Sequence, residues 1–534
     1  MKPSFRKLLD QLKGQLGKPG QEAQDPIRQL LAQLSKRKLA IGLHLAHYHD
    51  ALLFIIAHPA NHQQRSMAEK ELSRISSRLK KASATARVPL ANTGLPYTSM
   101  VSSYSHDCLA WLNAQEYCSL ELIGQSGFSL NEVLVHTLPA LERSYTTAGY
   151  NNEELLEVLG VKKRQRLGFY LDQLNALGQS PSVKDHFFEK LALEIKVKPK
   201  SKLFSRAYNR LPAASPYYQK DWKKNFDIDR LLNRRLPRPK PMVSGEAERT
   251  IRVVKNTMAL NDRETDPVTY LDPSTLRAYA LERGITIVLY GMVPGRQLPM
   301  ESYIGFTLFR NGLPAAYGGS WVFGARATFG INIFEGFRGG ESGYIMCQLL
   351  RVYRLAFGVS YFEIEPYQFG LDNPEGIASG AFWFYYKYGF RPLDKTLAAM
   401  ALRESRKIKA GKSHRTPKRV LIRFTESNMA LNLGSTIPVS LSAVTQKTTR
   451  MLQREFGGCR SLAVRECTGA LKNKNAPTSG LNPDELTAYQ ELALVSQAIK
   501  KAKPVPIKRL VLMAKAKPVD PYQYQRLLLR FLNK

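Results

Sequence analysis

Short apolar runs rich in β-branched and aromatic residues are concentrated between residues 285 and 365, and they constrain the fold more than any other feature of the sequence. Asn311-Gly312 lies between two of these runs and predicts a tight hairpin. A helix is predicted over 344–357. Because strand, helix and strand in succession favour a right-handed parallel crossover, we expect an α/β domain here. The predicted strands cover 285–290, 303–309, 315–323, 328–334 and 360–365.

The sequence on either side of this region has a different pattern of apolar residues and prolines. Leu-rich periodic segments such as 27–34 predict helices, whereas the prolines of 236–242 exclude a continuous helix and favour an exposed arm. One more strand is predicted at 420–424. We therefore expect a mixed-sheet α/β domain in the middle of the chain, flanked by mainly helical regions. The expected parts are a helical N-terminal region (1–195, with a second helical block over about 107–195), a basic Pro-rich linker (196–245), an α/β domain (246–400) and a basic, mainly helical C-terminal region (401–534).

Positive charge is unevenly distributed along the 534 residues. The chain has 78 Lys and Arg against 44 Asp and Glu, a net charge of +34. Residues 301–400 hold 8 basic and 8 acidic residues, whereas residues 401–534 hold 26 and 8. Basic flanks attract phosphates, whether these belong to nucleic acid, anionic lipid or a cofactor.

Several features place the chain in the cytoplasm. No apolar run approaches the ~18 residues that a membrane span needs, and residues 1–20 lack the apolar centre of a secretory signal. The five cysteines are an odd number, are widely scattered and contain no C-x-x-C pair, so they predict neither a zinc site nor a redox motif. We expect a reducing compartment, no transmembrane segment and no metal site.

The segment 331–350 contains the strongest chemical signal. A predicted strand ends at Glu335, an Arg338-Gly-Gly-Glu-Ser-Gly343 turn follows, and a helix begins. The first amide groups of a helix have no intrahelical partner and lie where its dipole is positive, so they bind anions. Glycines let a phosphate approach the backbone. This segment predicts a phosphate-binding turn, although a plain strand-to-helix turn would use the same residues.

An aromatic segment, Phe384-Tyr-Tyr-Lys-Tyr-Gly-Phe390, follows about 40 residues later. In this order and spacing the two segments resemble the GNAT superfamily of acyl-CoA-dependent N-acyltransferases. That family has an Arg/Gln-x-x-Gly-x-Gly/Ala loop after its fourth strand and a Phe-Tyr-x-x-x-Gly-Phe helix after its fifth. The second pattern matches fully. The first matches at Arg338 and Gly343, but Glu341 stands where the family has a glycine. The resemblance covers about residues 250–400.

The resemblance implies roles for individual residues. Tyr385 would protonate the departing thiolate, and Glu335 is the favoured general base, ahead of Glu363 and Glu365. A carboxylate at Glu341 would repel a pyrophosphate unless its side chain turns away. Acetyl-CoA or another acyl-CoA would be the co-substrate, with an amine as acceptor. The residues expected to bind its phosphates are Arg338, Gly339, Gly340, Ser342 and Gly343.

Alternatives remain open at this point. The first hypothesis is an N-acyltransferase that moves an acyl group from a CoA thioester to an amine. The second is a GNAT-like scaffold without turnover, in a protein that binds nucleic acid or an anionic surface. A third keeps the enzyme but takes the acyl group from an acidic carrier protein or an aminoacyl-tRNA.

Overall fold

The computed structural model describes residues 3–18, 24–178, 180–213, 215–240, 242–338, 340–411, 413–472, 480–499 and 507–533. Within them the chain is a mixed α/β protein with a three-stranded sheet and an eight-stranded sheet. None of the helices in these ranges is both long and apolar enough to cross a membrane. Gly339 lies outside the described residues.

The N-terminal helices pack directly onto the larger sheet. Leu52 and Ile56 belong to the same buried core as Leu313 and Ala315, so this region shares a core with the sheet. Asn61 accepts a hydrogen bond from the backbone N–H of Gln64 and so begins the fourth helix. These helices are α1 (Phe5–Gln15), α2 (Gln24–Ser35), α3 (Leu43–Ala57), α4 (His62–Lys80) and α5 (Ala84–Arg87).

A small antiparallel sheet follows, in the order β1-β3-β2. The helical block expected over about 107–195 is wrong at β2 and at the start of β3, which are strands. Leu193, Ile195 and Val197 are buried at every second position, and this period of two belongs to a strand. The elements are β1 (Met100–Ser102), α6 (His106–Asn113), β2 (Cys118–Gln125), α7 (Leu130–Leu134), α8 (Asn152–Val158), α9 (Arg166–Asn175), α10 (Pro181–Lys190) and β3 (Leu193–Pro199).

The segment 196–245 differs from the exposed arm that its prolines and charges predict. Phe204 and Ser205 are fully buried, and Gln219 is buried as well. Its short helix α11 (Ile228–Asn233) packs on α14 of the next unit (Ser342–Phe357). The segment therefore packs on both sheets, because Phe204 belongs to the core of the three-stranded sheet and Gln219 accepts a hydrogen bond from Arg310 of the larger one.

The larger sheet has the strand order β10-β11-β9-β8-β7-β6-β5-β4. Strands β8 and β9 are parallel, and every other neighbouring pair is antiparallel. The predicted hairpin at Asn311-Gly312 is confirmed, and both residues have positive φ angles. The elements are α12 (Ser244–Asn261), α13 (Asp266–Thr269), β4 (Arg277–Ala280), β5 (Ile285–Tyr290), β6 (Ser302–Arg310), β7 (Leu313–Phe323), β8 (Arg326–Ile333), α14, β9 (Tyr361–Ile364), α15 (Pro374–Ser379), α16 (Ala381–Lys387), β10 (Arg391–Pro392), α17 (Lys395–Ala410), α18 (Lys418–Phe424) and β11 (Met429–Asn432).

The strand predicted at 420–424 is wrong, because these residues belong to helix α18. Leu421 and Phe424 are buried whereas Ile422 is 49% exposed, so the apolar contacts recur with the spacing of a helix. The final strand is β11 instead. The mainly helical character expected of the C-terminal region agrees with α19 (Leu441–Phe456), α20 (Arg460–Lys472), α21 (Pro483–Ile499), α22 (Ile507–Val519) and α23 (Pro521–Asn533).

Candidate functional site

The parallel strands β8 and β9 separate after a short contact. They pair at three positions, ending with Thr328 opposite Glu363. Strand β8 then continues through residues 329–333, paired with β7 on its other side. Strand β9 ends one residue later, at Ile364. The second half of β8 therefore presents a backbone edge that β9 does not cover.

Side chains bind the backbone groups of this open edge. The Ile331 N–H donates to Gln368 Oε1 at 3.3 Å, and Arg338 Nε donates to the Ile333 carbonyl at 3.1 Å. Alternate residues of a strand point their N–H and C=O groups to the same side, so Ile331 and Ile333 face the opening together. The backbone groups in this opening are thus paired with side chains and not with another strand, and a ligand that bound there would displace those side chains.

Tyr385 lies at the same opening. It is buried, and its hydroxyl donates to the oxygen of Gln368, the same atom that accepts from Ile331. Burial raises the pKa of Tyr385 above its ordinary value of 10. The phenol is therefore neutral at physiological pH and carries a proton that it can donate. The raised pKa also makes this phenol a weaker acid than an ordinary tyrosine.

The three candidate carboxylates have different surroundings. Glu363 accepts hydrogen bonds from Arg326 at 2.7 Å and from Asn428 at 2.7 Å, so its oxygens are engaged. Glu365 is exposed just beyond the end of β9. Glu335 is exposed at the end of β8, and its carboxylate has no hydrogen bond or ion pair within the described part of the chain. Of the three glutamates, Glu335 lies closest in sequence to the open edge of β8, and its carboxylate is free.

The glycine loop leads into α14, as the sequence predicts. Ser342 is the first residue of the helix, and the residue before it, Glu341, makes no side-chain capping bond. Arg338 is exposed and forms a 3.4 Å ion pair with Glu375. Gly340 has a φ of +71°, a conformation that favours glycine. The described part of the loop therefore turns the chain from β8 into α14, and phosphate binding by it stays a prediction.

Aromatic rings of the chain itself cover two of the glycines. A Cβ at Gly340 would lie 2.5 Å from the ring of Trp222, and a Cβ at Gly343 would lie 1.7 Å from the hydroxyl oxygen of Tyr388. Phe226 stacks on Tyr388 with 6.1 Å between ring centroids. Residues 222–226 and Tyr388 therefore occupy the space that a phosphate on this loop would need.

Glu341 does not point into the loop. Its carboxylate is buried and lies 2.8 Å from Arg310 and 2.5 Å from Arg283. The backbone N–H of Lys223 donates to the same carboxylate at 2.9 Å. Burial lowers the pKa of Arg310, and the charge of Glu341 opposes that effect. The sequence predicts that Glu341 repels a phosphate unless its side chain turns away from the loop. The side chain does turn away, because it faces the core.

Sequence reasoning missed the partners of the predicted residues. Gln368 follows β9 in a short turn, and nothing in the local pattern distinguishes it from a solvated glutamine. Arg310 directly precedes the Asn311-Gly312 hairpin, where a fully buried arginine is unusual. Trp222 lies in the segment that was expected to be exposed. A single sequence contains little information about such contacts, because they join residues that are far apart in the chain.

The described residues contain no cluster of three or more His, Cys, Asp and Glu side chains able to hold a metal ion. All five cysteines are free thiols. Comparison with protein-family models, with curated proteins and with solved structures found no match for this chain.

Proposed function

We propose that this protein is an N-acyltransferase that takes an acyl group from acyl-CoA and binds the donor in the opening between β8 and β9. The observation that carries the proposal is the open edge of β8 beside a buried, neutral tyrosine. The thioester arm of CoA is an extended chain of amides, and amides pair with exposed strand edges. Gln368 already places a side-chain amide on the Ile331 N–H, so the opening accepts this chemistry.

The residues at the opening supply the proton transfers that the reaction needs. When the amine nitrogen attacks the thioester carbon, a C–N bond forms and the C–S bond breaks. Glu335 takes the proton that the amine loses, and Tyr385 gives its proton to the sulfur. Arg338, Ser342 and the amide groups at Gly339, Gly340 and Gly343 hold the phosphates, after Trp222 and Tyr388 have moved aside. The cytoplasm supplies acyl-CoA and keeps the thiols reduced.

One observation favours a second function. Because Trp222 and Tyr388 cover Gly340 and Gly343, side chains of the protein itself fill the space next to the glycine loop. A sheet domain with this loop closed would serve as a scaffold without turnover. The basic C-terminal region would then bind nucleic acid, an acidic carrier or another anionic partner.

Calorimetric titration with acetyl-CoA and with a longer acyl-CoA distinguishes the two functions. The enzyme proposal expects micromolar binding that Arg338→Ala weakens at least tenfold. The matched control is Arg465→Ala, which also removes an exposed arginine paired with one carboxylate. If the wild-type protein binds neither thioester, the acyltransferase proposal is wrong and the scaffold stands.

A further inference from the structure

A cavity of about 530 Å³ lies between α16, α17 and the loop that follows α17. Trp383, Tyr386 and Lys387 line it from α16, whereas Tyr385 of the same helix is buried against Gln368. The cavity is therefore separate from the opening between β8 and β9. Its volume is in the range of sites that hold small organic ligands.

The charged side chains around this cavity are positive. Lys387, Arg391, Lys409 and Arg415 are all exposed and all line it, and none of the described residues lines it with a carboxylate. Neither Lys409 nor Arg415 contacts a carboxylate anywhere in the described ranges. The nearby Glu404 is buried and is engaged by Lys407 at 2.7 Å and His414 at 3.0 Å. The cavity thus presents uncompensated positive charge, which favours an anionic ligand.

The aromatic side chains give the cavity a second property. The Trp383 indole N–H donates to Thr416 at 3.0 Å, so the polar group of the ring is already satisfied. What the indole offers a ligand is its π surface. The guanidinium of Arg391 stacks 3.9 Å from the centroid of Tyr386, and two backbone carbonyls hold it there. Flat rings and a fixed guanidinium plane are the surfaces on which nucleic-acid bases stack.

We propose that this cavity binds a nucleotide of a single-stranded nucleic acid, with its base on Trp383 and its phosphate between Lys387 and Arg415. The surrounding sequence favours a strand over a free nucleotide. Residues 401–423 contain nine Lys and Arg against one Glu, more positive charge than one phosphate needs. This site is independent of acyl transfer, and either can hold without the other.

Fluorescence anisotropy with a labelled 12-nucleotide single strand tests the proposal on the full-length protein. Lys387→Ala/Arg415→Ala should raise Kd at least tenfold and lower the slope of log K against log salt by about 0.7, which is the contribution of the one phosphate that these two side chains neutralise. The control Lys447→Ala/Arg450→Ala removes the same charge from α19 and should change Kd less than threefold.

A second variant tests base stacking separately from charge. Trp383→Ala should weaken binding by about 5-fold to 100-fold while leaving the salt slope unchanged. The milder Trp383→Phe keeps a ring and should lose less affinity, and in the wild type the strand should quench tryptophan fluorescence. Equal weakening by both double variants would overturn the proposal, as would tighter binding to phosphatidylserine vesicles than to the strand. If AMP binds as tightly as the strand, the ligand is a free nucleotide and the strand assignment is wrong.

Discussion

Glu341 and Arg310 form an ion pair with 2.8 Å between the carboxylate and the guanidinium, and neither side chain is more than 1% exposed. Glu341 ends the glycine loop and Arg310 ends strand β6, so the pair joins the loop to the sheet. Arg283 contributes a second positive charge to the same carboxylate. This contact explains why the carboxylate at this position lies in the core and does not point into the loop.

Replacing Glu341 by Gln should destabilise the protein by about 3 kcal/mol, because Arg310 would keep its buried charge without its counterion. Chemical denaturation of the two proteins measures this difference. Glu341→Gly, which also removes the carboxylate, should be at least as destabilising. The matched control is Glu335→Gln in the same loop, whose exposed carboxylate has no described partner, and we expect a change within about 0.5 kcal/mol. Equal effects of the two substitutions would show that the ion pair contributes nothing.

Gly343 should tolerate no side chain, because a Cβ there would lie 1.7 Å from the Tyr388 hydroxyl. We expect Gly343→Ala to lower the free energy of unfolding by about 1–3 kcal/mol. Gly245 in α12 makes a suitable comparison, since a Cβ there meets nothing within 4 Å. Gly245→Ala should therefore be neutral or stabilising. Thermal unfolding of both variants measures these changes in stability. If Gly343→Ala is as stable as the wild-type protein, Tyr388 does not pack on the loop.

Gln368 holds the open edge of β8 in the absence of a ligand, so its loss should have opposite effects on stability and on binding. Gln368→Ala should lower the free energy of unfolding by about 1 kcal/mol, because the Ile331 and Tyr385 hydrogen bonds are lost. It should also lower the Kd for acetyl-CoA, because the ligand no longer competes with the carboxamide. Gln446→Ala, on the exposed surface of α19, should change neither quantity. Weaker acetyl-CoA binding by Gln368→Ala would instead make Gln368 part of the binding surface.

The strands between residues 285 and 365 could be predicted to within one or two residues because their apolar runs are short, β-branched and bounded by turns. The parallel contact of β8 with β9 also follows from the helix between them. Residues 420–424 could not be assigned correctly, since a short and mostly apolar run fits a strand or a helix equally well.

The site was only partly predictable for a related reason. Tyr385 and the glycine loop carry local patterns, and the structure places Tyr385 at the open edge. The burial of Glu341 depends on Arg283 and Arg310, more than 30 residues away, and the cover over the loop depends on Trp222. Proline and positive charge predict exposure for residues 196–245, but they do not exclude burial of aromatic side chains from this segment against other parts of the protein.

Lys517 predicts a pH dependence of stability. Burial lowers the pKa of its ammonium group to about 7, and the charge of Glu301 only partly opposes this. Between pH 7 and the ordinary value of 10.5 the unfolded chain binds the additional proton, so the free energy of unfolding should rise as pH rises through this window. Between pH 7.5 and 9.5 we expect the free energy of unfolding of Lys517→Met to rise by about 2 kcal/mol less than that of the wild-type protein. Denaturation at several pH values tests this, and parallel curves for the two proteins would contradict it.

Amide hydrogen exchange with and without acetyl-CoA tests the proposed donor site most directly. If the thioester arm binds the open edge of β8, saturating acetyl-CoA should slow exchange in a peptide covering residues 326–333. A peptide covering β6, which is paired on both sides, serves as the internal reference and should exchange at the same rate in both conditions. Slowed exchange confined to 326–333 and the glycine loop is the result that we predict. Unchanged exchange in 326–333 at saturating acetyl-CoA would contradict the account.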